Sequence, residues 1–362
     1  MRILHVINTL NVGGAETLVV GLSEALKQSG GHVELYVLRS GGLLEVDISN
    51  AGIPVHFGGP GSVYSPLHIL RLARFMRSRT FDVIHVHLYP AQLWVCLASL
   101  LAGCKTPIVT TEHGVSNRRR TALFRWLDRW MYRQFAAIAV ISEATRNALQ
   151  THLGDKVQQI CVVPNGIDAA RFRLPFPGEP KTTARVILSV GSLTPVKDQV
   201  TIIRAIAQID GVKLMLAGDG PLRADLEATA CHLGAGSRVE FLGIRRDIPR
   251  LIAGSDLYVQ ASQVEGFCLA VVEAMCGGLP CIVSRTTGLQ ETVGRAGLYF
   301  DPGNAEELAS AIRALLADPS RRAELSLRGV DQANRFTLQA CSARYQDFYS
   351  KVIQGISLAS GC

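Results

Sequence analysis

The sequence lacks a long apolar run. Of its 362 residues, 48% are hydrophobic, but the best run, Leu93 to Ala102, is far shorter than the roughly 18 residues that span a bilayer. The first ten residues contain one Arg and a polar turn, where a secretory signal would have a longer apolar stretch and a small-residue cleavage site. We therefore expect a soluble chain that stays in the cytoplasm.

Paired cysteines and aromatic residues are also scarce. The nine cysteines are scattered, odd in number and free of C-x-x-C spacing, so neither a disulfide framework nor a zinc site is expected. We interpret them as small buried apolar residues in a reducing compartment. Aromatic residues make up only 6%, too few for a base-stacking platform, and nothing resembles an RNA-binding module. Nucleic acid is therefore not an expected partner.

The positive charge is unevenly distributed. The formal net charge is +7, of which residues 1–170 carry +5 and residues 171–362 carry +2. An excess on the first half favours an anionic partner there, such as a phosphorylated acceptor or an acidic membrane surface.

Short apolar, β-branched runs alternate with helical patterns along the whole chain. Nearly continuous apolar runs are typical of parallel strands that helices cover on both faces, so the alternation predicts doubly wound α/β sheets. The predicted strands are residues 3–7, 33–38, 54–57, 83–87, 107–111, 137–141, 161–163, 184–191, 213–218, 238–243, 256–260, 280–284 and 297–300.

One segment interrupts this alternation. Residues 171–182 contain three Pro and a Gly, which sustain neither helix nor central strand. We predict a first domain over 1–170, a hinge over 171–182, a second domain over 183–340 and a tail helix within 341–362. No period of 20–50 residues recurs, which excludes a solenoid.

In each domain, a glycine-containing loop follows the first predicted strand. Gly13 and Gly14 precede a predicted helix, where backbone can approach a ligand and the helix N-terminus attracts anions. The loop lacks the complete G-x-G-x-x-G dinucleotide pattern, and a Gly-Gly turn alone is often only a turn. In residues 190–198, Lys197 lies near the next helix, where a cation suits phosphate. Taken alone, it is better interpreted as an exposed surface lysine.

The segment of residues 265–280 is the most informative. Glu265 follows a strand, Gly266 introduces a helix, and Gly277, Gly278 and Pro280 end it. The free N–H groups at the start of this helix lie at the carboxyl end of a strand, where open α/β sheets bind ligands. Glu273 lies about one helical turn further on. Two carboxylates beside such amides suit a ligand that has both hydroxyls and phosphate.

Glu265 and Glu273, with seven residues between them, resemble the motif of the retaining glycosyltransferases of family 4. The resemblance extends over some 280 residues, because further segments match the family in order. These segments are VGGAET (12–17), TEHG (111–114), VPNGID (163–168), VGSLTPVKD (190–198), LAGDGPL (216–222), EAMCGGLPCIVS (273–284) and GLQE (288–291).

The resemblance implies a GT-B fold: two Rossmann-like domains facing across a cleft, with the tail helix crossing back to the first. It implies that the first domain binds the acceptor and the second a nucleotide-diphosphate sugar. Catalytic roles fall to His113, Glu265 and Lys197, and Glu273 is expected to bind the ribose. The implied donor site also includes Gly13, Gly14, Ser192, Gly218 and the backbone of Phe267, Cys268, Leu269 and Ala270.

The sequence departs from the family at Ser192, where the family usually has Arg. An Arg would add a bidentate phosphate contact that Ser cannot supply, so either Lys197 and the amides suffice or another residue such as Arg285 substitutes. There is no Asp-x-Asp pair, which glycosyltransferases of the other major fold use to bind a divalent cation. We therefore expect no metal and no cofactor. His85 and His87 share a strand face, but no third ligand is evident.

A basic segment, residues 116–135, contains six Arg and one Asp. Apolar residues cluster on one side of the predicted helix, so it is interpreted either as an interfacial helix on an anionic membrane or as a core helix with a solvated basic face. The residues expected at an acceptor or membrane surface are Arg118, Arg119, Arg120, Arg125 and Trp130.

The resemblance thus implies a retaining, metal-independent enzyme. It would transfer a hexose or N-acetylhexosamine, more often from UDP than from GDP, to a cell-envelope glycan or a lipid-linked acceptor, as in lipopolysaccharide or polysaccharide biosynthesis. The protein would then lie in the cytoplasm or on the inner face of the cytoplasmic membrane. The alternatives are a GT-B sugar-nucleotide epimerase or phosphorylase, and a nucleotide-sugar-binding protein without transferase activity.

Overall fold

The computed structural model describes residues 1–115, 124–154, 159–173 and 185–358. The chain divides into two compact units. The first unit comprises Met1–Gly166 together with Leu338–Cys362, and the second comprises Ile167–Thr337. Of the segment expected as a hinge, residues 174–182 lie outside the described residues, and residues 171–173 belong to the second unit.

The first unit is built on a parallel sheet. In its described part the strand order is β3-β2-β1-β4-β5-β6-β7. The strands are β1 (Arg2–Ile7), β2 (His32–Val37), β3 (Val55–Phe57), β4 (Val83–His87), β5 (Ile108–Glu112), β6 (Ala137–Val140) and β7 (Ile160–Val162). The helices are α1 (Gly14–Gln28), α2 (Glu45–Asn50), α3 (Leu67–Ser78), α4 (Ala91–Ala102), α5 (Arg125–Tyr132), α6 (Glu143–Leu153) and, from the end of the chain, α15 (Leu338–Ile353).

The second unit repeats this architecture. Within the residues described, its parallel sheet has the order β10-β9-β8-β11-β12-β13. The strands are β8 (Arg185–Val190), β9 (Val212–Ala217), β10 (Val239–Gly243), β11 (Leu257–Gln260), β12 (Cys281–Ser284) and β13 (Gly297–Phe300). The helices are α7 (Ala169–Phe172), α8 (Gln199–Ala207), α9 (Arg223–His232), α10 (Ile248–Ala253), α11 (Leu269–Cys276), α12 (Thr287–Val293), α13 (Ala305–Ala317) and α14 (Pro319–Ala333).

Apolar clusters cover both faces of the first sheet, as its continuous apolar strands predict. On one face, Leu18 and Leu22 of α1 pack with Tyr345 and Phe348 of α15. On the other face, helices α3 and α4 contribute the buried side chains Leu72, Met76 and Val95. The tail helix is therefore part of the core of the first unit, as the GT-B expectation required.

The sequence analysis located the strands accurately. Every predicted strand segment coincides with an observed strand to within one residue at each end. The predicted fold class, two Rossmann-like parallel α/β units, is confirmed. None of the helices in the described part of the chain combines the length and the apolar character that crossing a bilayer requires.

Candidate active site

The strand order reverses once in each sheet, and this position locates the candidate site. In an open α/β sheet, ligands bind beyond the carboxyl ends of the strands where the order reverses. In the second unit this point lies between β8 and β11. The loop after β8 carries Lys197, and the loop after β11 carries Glu265. Two of the residues proposed for catalysis thus follow the two strands that flank this point.

Lys197 and Glu265 form an ion pair. The Nζ atom of Lys197 lies 2.5 Å from Oε2 of Glu265, and their side chains are 22% and 13% exposed. Burial by itself lowers the pKa of Lys197, but interactions with the Cys268 thiol and with Glu265 outweigh it, so the pKa of Lys197 lies above its usual value. Lys197 is therefore a permanent cation at this edge of the sheet.

A hydrogen-bonded chain along β11 positions the Glu265 carboxylate. Ser262 donates its hydroxyl proton to Oε2 of Glu265 at 3.0 Å. Gln260 donates from Nε2 to the Ser262 hydroxyl at 2.8 Å, and the Tyr258 hydroxyl donates to Oε1 of Gln260 at 2.9 Å. Because Tyr258, Gln260 and Ser262 are fully buried, they hold Glu265 in one orientation.

The backbone at Glu265 is constrained as well. Gly288, at the start of α12, packs so closely that a Cβ atom there would overlap the carbonyl oxygen of Glu265. Gly218 has a φ of 140°, and a Cβ at that position would overlap the carbonyl oxygen of Gly191. Only glycine fits these contacts, so the loops after β8, β9 and β11 are fixed by the closeness of backbone to backbone.

The first turn of α11 carries the residues predicted to contact the diphosphate. Cys268 is the N-cap, and the helix begins at Leu269 and continues through Ala270. Phe267 and Cys268 are buried, and Phe267 packs edge-on against Phe336 with ring centroids 5.1 Å apart. The first N–H groups of a helix have no acceptor inside it and carry the positive end of its dipole. This turn can therefore bind an anion.

Glu273 lies one turn further along α11. Burial raises the pKa of its carboxyl to about 7, although the positive charge of Arg171 opposes the shift. Arg171 was assigned to the hinge in the sequence analysis, so the sequence did not indicate this second cation. The sequence pattern around Arg171 is weak, because Arg171 lies in α7, a helix of only four residues immediately before the Pro-rich segment.

Ser192 and Arg285 both take part in hydrogen bonds within the second unit. Ser192 is exposed, and its carbonyl oxygen accepts a hydrogen bond from Gln199 at 2.9 Å. The suggested substitute Arg285 is paired with Asp301 at 3.0 Å and lies 3.8 Å from Glu307. Lys197 beside Glu265, Arg171, whose charge acts on Glu273, and the first turn of α11 are positive groups of this site.

In the first unit, Gly13 and Gly14 lie at the start of α1. Gly13 is the N-cap, and a Cβ there would collide with the carboxylate of Glu16. Burial raises the pKa of that carboxyl, and a backbone hydrogen bond partly offsets the increase. A carboxylate thus faces the loop that the sequence predicts to lie against a diphosphate.

His113 follows β5 and is connected to the interior of the first unit by hydrogen bonds. Its Nε2 atom lies 3.1 Å from Nδ1 of His87, and Nε2 of His87 lies 3.0 Å from Nδ1 of His5. Burial lowers the pKa of His113 to about 4 and that of His5 to about 3. Burial, and then the neighbouring histidines, lowers the pKa of His87 well below its usual value. The three rings are therefore neutral at pH 7.

His85 belongs to a second set of hydrogen bonds on the same face of the sheet. Its Nδ1 atom lies 2.6 Å from the hydroxyl of Tyr349, and its Nε2 atom lies 2.7 Å from that of Thr111. The Thr111 hydroxyl also lies 2.9 Å from the hydroxyl of Tyr345. The tail helix α15, which carries both tyrosines, therefore satisfies buried polar groups of the sheet.

The sequence analysis missed His5, which brings a third histidine to His85 and His87. One ligand atom from each of these three lies within 4.8 Å of the others, a spacing compatible with a metal ion. All three are fully buried, and both ring nitrogens of His85 already have hydrogen-bond partners. Only pairing of β1 with β4, which places His5 beside His85, could have indicated the cluster.

Helix α5 corrects part of the interfacial prediction. Arg118, Arg119 and Arg120 lie outside the described residues, but Met131 is fully buried and Trp130 packs against the core. The prediction that this apolar side enters a membrane is therefore wrong for Met131 and Trp130, which pack on the core of the first unit, whereas Phe124 on the same side is 38% exposed. Arg125 is exposed, and the most exposed aromatic side chain of the helix is Trp126, at 70%.

Comparison with solved structures identifies the fold. HepE of Anabaena, crystallised with UDP and glucose, superimposes with a TM-score of 0.85 at 24% sequence identity, covering 97% of this chain and all of that one. With two parallel α/β units and the tail helix on the first, the fold is that of the GT-B glycosyltransferases.

Sequence comparison identifies the family. Residues 12–171 match the model described as Glycosyltransferase Family 4, and residues 171–331 match that of Glycosyl transferases group 1. The 2-deoxystreptamine glucosyltransferase of Streptomyces kanamyceticus is 30% identical over 66% of this chain and 69% of its own length. The UDP-Gal:alpha-D-GlcNAc-diphosphoundecaprenol alpha-1,3-galactosyltransferase of Escherichia coli is 28% identical over 61% of this chain and 62% of its own. The chain belongs to glycosyltransferase family 4, which favours the transferase over the epimerase, phosphorylase and binding-protein alternatives.

Proposed function

We propose that this glycosyltransferase transfers a hexose or N-acetylhexosamine from a UDP-sugar to a cell-envelope glycan or a lipid-linked acceptor. The observation that carries the proposal is the Lys197–Glu265 ion pair at the point where the strand order reverses, beside the first turn of α11. A cation, a helix N-terminus and an oriented carboxylate there suit a ligand that joins a diphosphate to a sugar.

The donor is expected to lie along α11. Glu273 accepts hydrogen bonds from the ribose hydroxyls, the first turn of the helix and Lys197 bind the diphosphate, and Glu265 binds the sugar. The relatives support UDP as the nucleotide, because HepE was crystallised with UDP and the E. coli enzyme is named for UDP-Gal.

Stabilisation of the departing diphosphate is the catalytic contribution that this site can make. When the glycosidic bond breaks, negative charge grows on the diphosphate, and fixed positive groups lower the energy of that transition state. Lys197 and the amides of α11 supply this charge, so no bound metal ion is needed. We further propose that the anomeric configuration is retained, as the family resemblance implies.

The acceptor is expected to be anionic and close to a membrane surface. The first half of the chain carries the excess of positive charge, and Arg118, Arg119 and Arg120 precede the exposed Arg125 and Trp126. Consecutive arginines that precede an exposed Trp in the sequence suit anionic headgroups. We therefore place the protein in the cytoplasm, peripherally on the inner face of the membrane.

A nucleotide panel tests the donor. Thermal unfolding of the full chain is measured with UDP, GDP, ADP and CMP, and a ligand at 100 times its Kd adds about 2.7 kcal/mol to the free energy of unfolding. UDP alone is expected to raise the Tm. A shift with GDP alone would replace UDP as the nucleotide, and no shift with any of the four would contradict the proposed donor site.

Flotation with vesicles tests the membrane surface. Replacing Arg118, Arg119 and Arg120 by Gln should weaken binding to phosphatidylglycerol-containing vesicles about a hundredfold, since each arginine near an anionic surface contributes about 1 kcal/mol. The control replaces three surface arginines of the second unit, the half-buried Arg223 and Arg321 and the exposed Arg328. Equal flotation of both triple variants would remove the membrane from the proposal.

A further inference from the structure

Lys197 lies in a short turn at the surface of the second unit. Pro195–Lys197 form a single turn of 3₁₀ helix between β8 and α8. Pro195 and Val196 are exposed, and Lys197 is half-buried. A turn with so little buried surface moves easily unless hydrogen bonds fix it, so the position of the Lys197 ammonium group depends on what holds this turn.

Glu265, the partner of Lys197, lies in a loop that is held much more firmly. Its carboxylate accepts the hydroxyl proton of the fully buried Ser262, and Gly288 packs closely against its carbonyl oxygen. The two charges of the ion pair therefore have unequal support. The core fixes the loop after β11, whereas the turn that carries Lys197 has to be tied to that loop.

Gln263 makes this connection on both sides of Lys197. Its backbone N–H group donates to the carbonyl oxygen of Val196 at 2.8 Å. Its side-chain Nε2 atom donates to Oδ2 of Asp198. Since Val196 and Asp198 are the neighbours of Lys197 in the chain, these two bonds, the Gln263 clamp, hold the turn against the loop that carries Glu265.

Asp198 suits this position through its backbone as well as its side chain. Its φ of 48° and ψ of 47° lie in the left-handed region, which Asp adopts more readily than most other residues. Its carboxylate also accepts hydrogen bonds from the N–H group and the hydroxyl of Thr201, at 3.3 Å and 2.8 Å. As the N-cap of α8, Asp198 therefore joins the Lys197 turn to both the helix and the loop after β11.

We propose that Asp198 and Gln263 are positioning residues, which hold Lys197 in place while the diphosphate departs. This role rests on the proposed function, because it acts through Lys197. A cation on a fixed backbone does not have to reorganise as negative charge develops, and a misplacement of about 1 Å can cost about a hundredfold in rate. Loss of the Gln263 clamp should therefore lower kcat more than it raises the KM for the donor.

Asp198→Gly removes the side-chain bond of the clamp without straining the backbone. Glycine adopts the left-handed conformation freely and is tolerated as an N-cap, so the Tm should change little. With the donor that the nucleotide panel identifies, kcat should fall about tenfold, while the donor KM stays within about twofold of the wild type. A purely structural role would instead lower kcat only as far as the protein unfolds.

Further variants show whether the effect passes through Lys197. Gln263→Leu, at an exposed position, removes the same bond from its other end, so it should match Asp198→Gly, and the double variant should be no slower than either. In Lys197→Met, adding Asp198→Gly should leave the remaining kcat unchanged, since the ammonium group that the clamp holds is already absent. Asp198→Asn should keep most of the wild-type kcat, because Asn also tolerates the left-handed conformation and can bond to the Gln263 amide. Gln208→Leu, which replaces another exposed glutamine of the second unit, is the control and should alter neither kcat nor KM.

Hydrogen exchange of the backbone amide at position 263 tests the clamp without any substrate. This N–H group is bonded to Val196 in the wild type, and both Asp198→Gly and Gln263→Leu retain it. Its protection, measured by NMR on the full chain, should fall about tenfold in either variant, the size of one lost hydrogen bond. In Gln208→Leu it should stay at the wild-type value.

Three results would overturn the proposal: a wild-type kcat in Asp198→Gly, an equal loss of kcat when Asp198→Gly is added to the wild type and to Lys197→Met, or unchanged protection of the amide at position 263. If Asp198→Gly fails to fold, Gln263→Leu decides by the same measurements. If the wild type turns over no nucleotide sugar, the proposed function fails, whereas the amide exchange still shows whether the clamp forms.

Discussion

Replacing Lys197 by Met is expected to lower kcat with a UDP-sugar by about 10²- to 10³-fold, the loss that follows removal of one preorganised group that stabilises developing charge. Lys197 is held 2.5 Å from Glu265, so its position requires no reorganisation when the diphosphate leaves. The KM for the donor should rise less than kcat falls, because charge on the diphosphate increases towards the transition state. Steady-state kinetics with the donor that the nucleotide panel identifies measure both quantities.

The Lys197 variant also breaks an ion pair, so a loss of stability must be separated from a loss of catalysis. Leaving the mostly buried Glu265 carboxylate without its cation should cost roughly 1–3 kcal/mol of unfolding free energy. The double variant Lys197→Met/Glu265→Gln should recover that stability but not the turnover. The control Lys213→Met breaks the exposed Lys213–Glu240 pair of 2.6 Å in the same unit. It should change neither the free energy of unfolding nor the turnover. Normal turnover in Lys197→Met would remove Lys197 from the catalytic site.

Glu273→Gln is expected to stabilise the ligand-free protein while weakening donor binding. Burial raises the pKa of Glu273 from 4.5 to about 7, so the folded protein retains a proton that the unfolded chain has released between these values. The free energy of unfolding of the wild type therefore falls as the pH rises from about 4.5 to about 7, and then levels off. The Gln variant lacks this loss. The difference in the free energy of unfolding between Glu273→Gln and the wild type should be near zero at pH 4.5. At pH 8 it should reach at most about 3 kcal/mol in favour of the variant.

Binding of the donor should show the opposite preference. Ribose hydroxyls donate to a carboxylate, so the affinity for UDP-glucose should increase from pH 6 to pH 8 in the wild type and stay flat in Glu273→Gln. UDP-glucose is the suitable probe because its diphosphate has no titrating proton in that range. Glu240→Gln, a change at an exposed carboxylate of the same unit, is the control. If Glu273→Gln binds UDP-glucose as tightly as the wild type at pH 8, Glu273 does not bind the ribose.

The fold was predictable because the sequence patterns that define its strands and helices are local and recur along the chain. The central strands are short β-branched runs that helices bury on both faces, and burial leaves little choice of where such a run begins and ends. Helix α5 was harder, because a basic amphipathic helix has the same pattern whether its apolar side faces lipid or a core. Only the structure shows that Met131 is buried.

The candidate site was predictable only in part. Resemblance selected Lys197 and Glu265, which are 68 residues apart, but no sequence pattern states that the two are paired. Arg171 was missed because a charged residue before a Pro-rich segment carries no distinctive spacing. His5 was missed because a single histidine in an apolar strand acquires meaning only when β1 pairs with β4.

The position of α15 in the first unit sets the order in which the protein can be completed during synthesis. The second unit is a continuous stretch of chain, Ile167–Thr337, whereas the first needs Leu338 onwards. Tyr349 satisfies His85 across 264 residues of chain, and Phe348 fills the same core. Since a ribosome releases the chain from its N-terminus, the part synthesised first is finished last. Its central sheet must wait, with polar groups and apolar surface uncovered, until the second unit has already emerged.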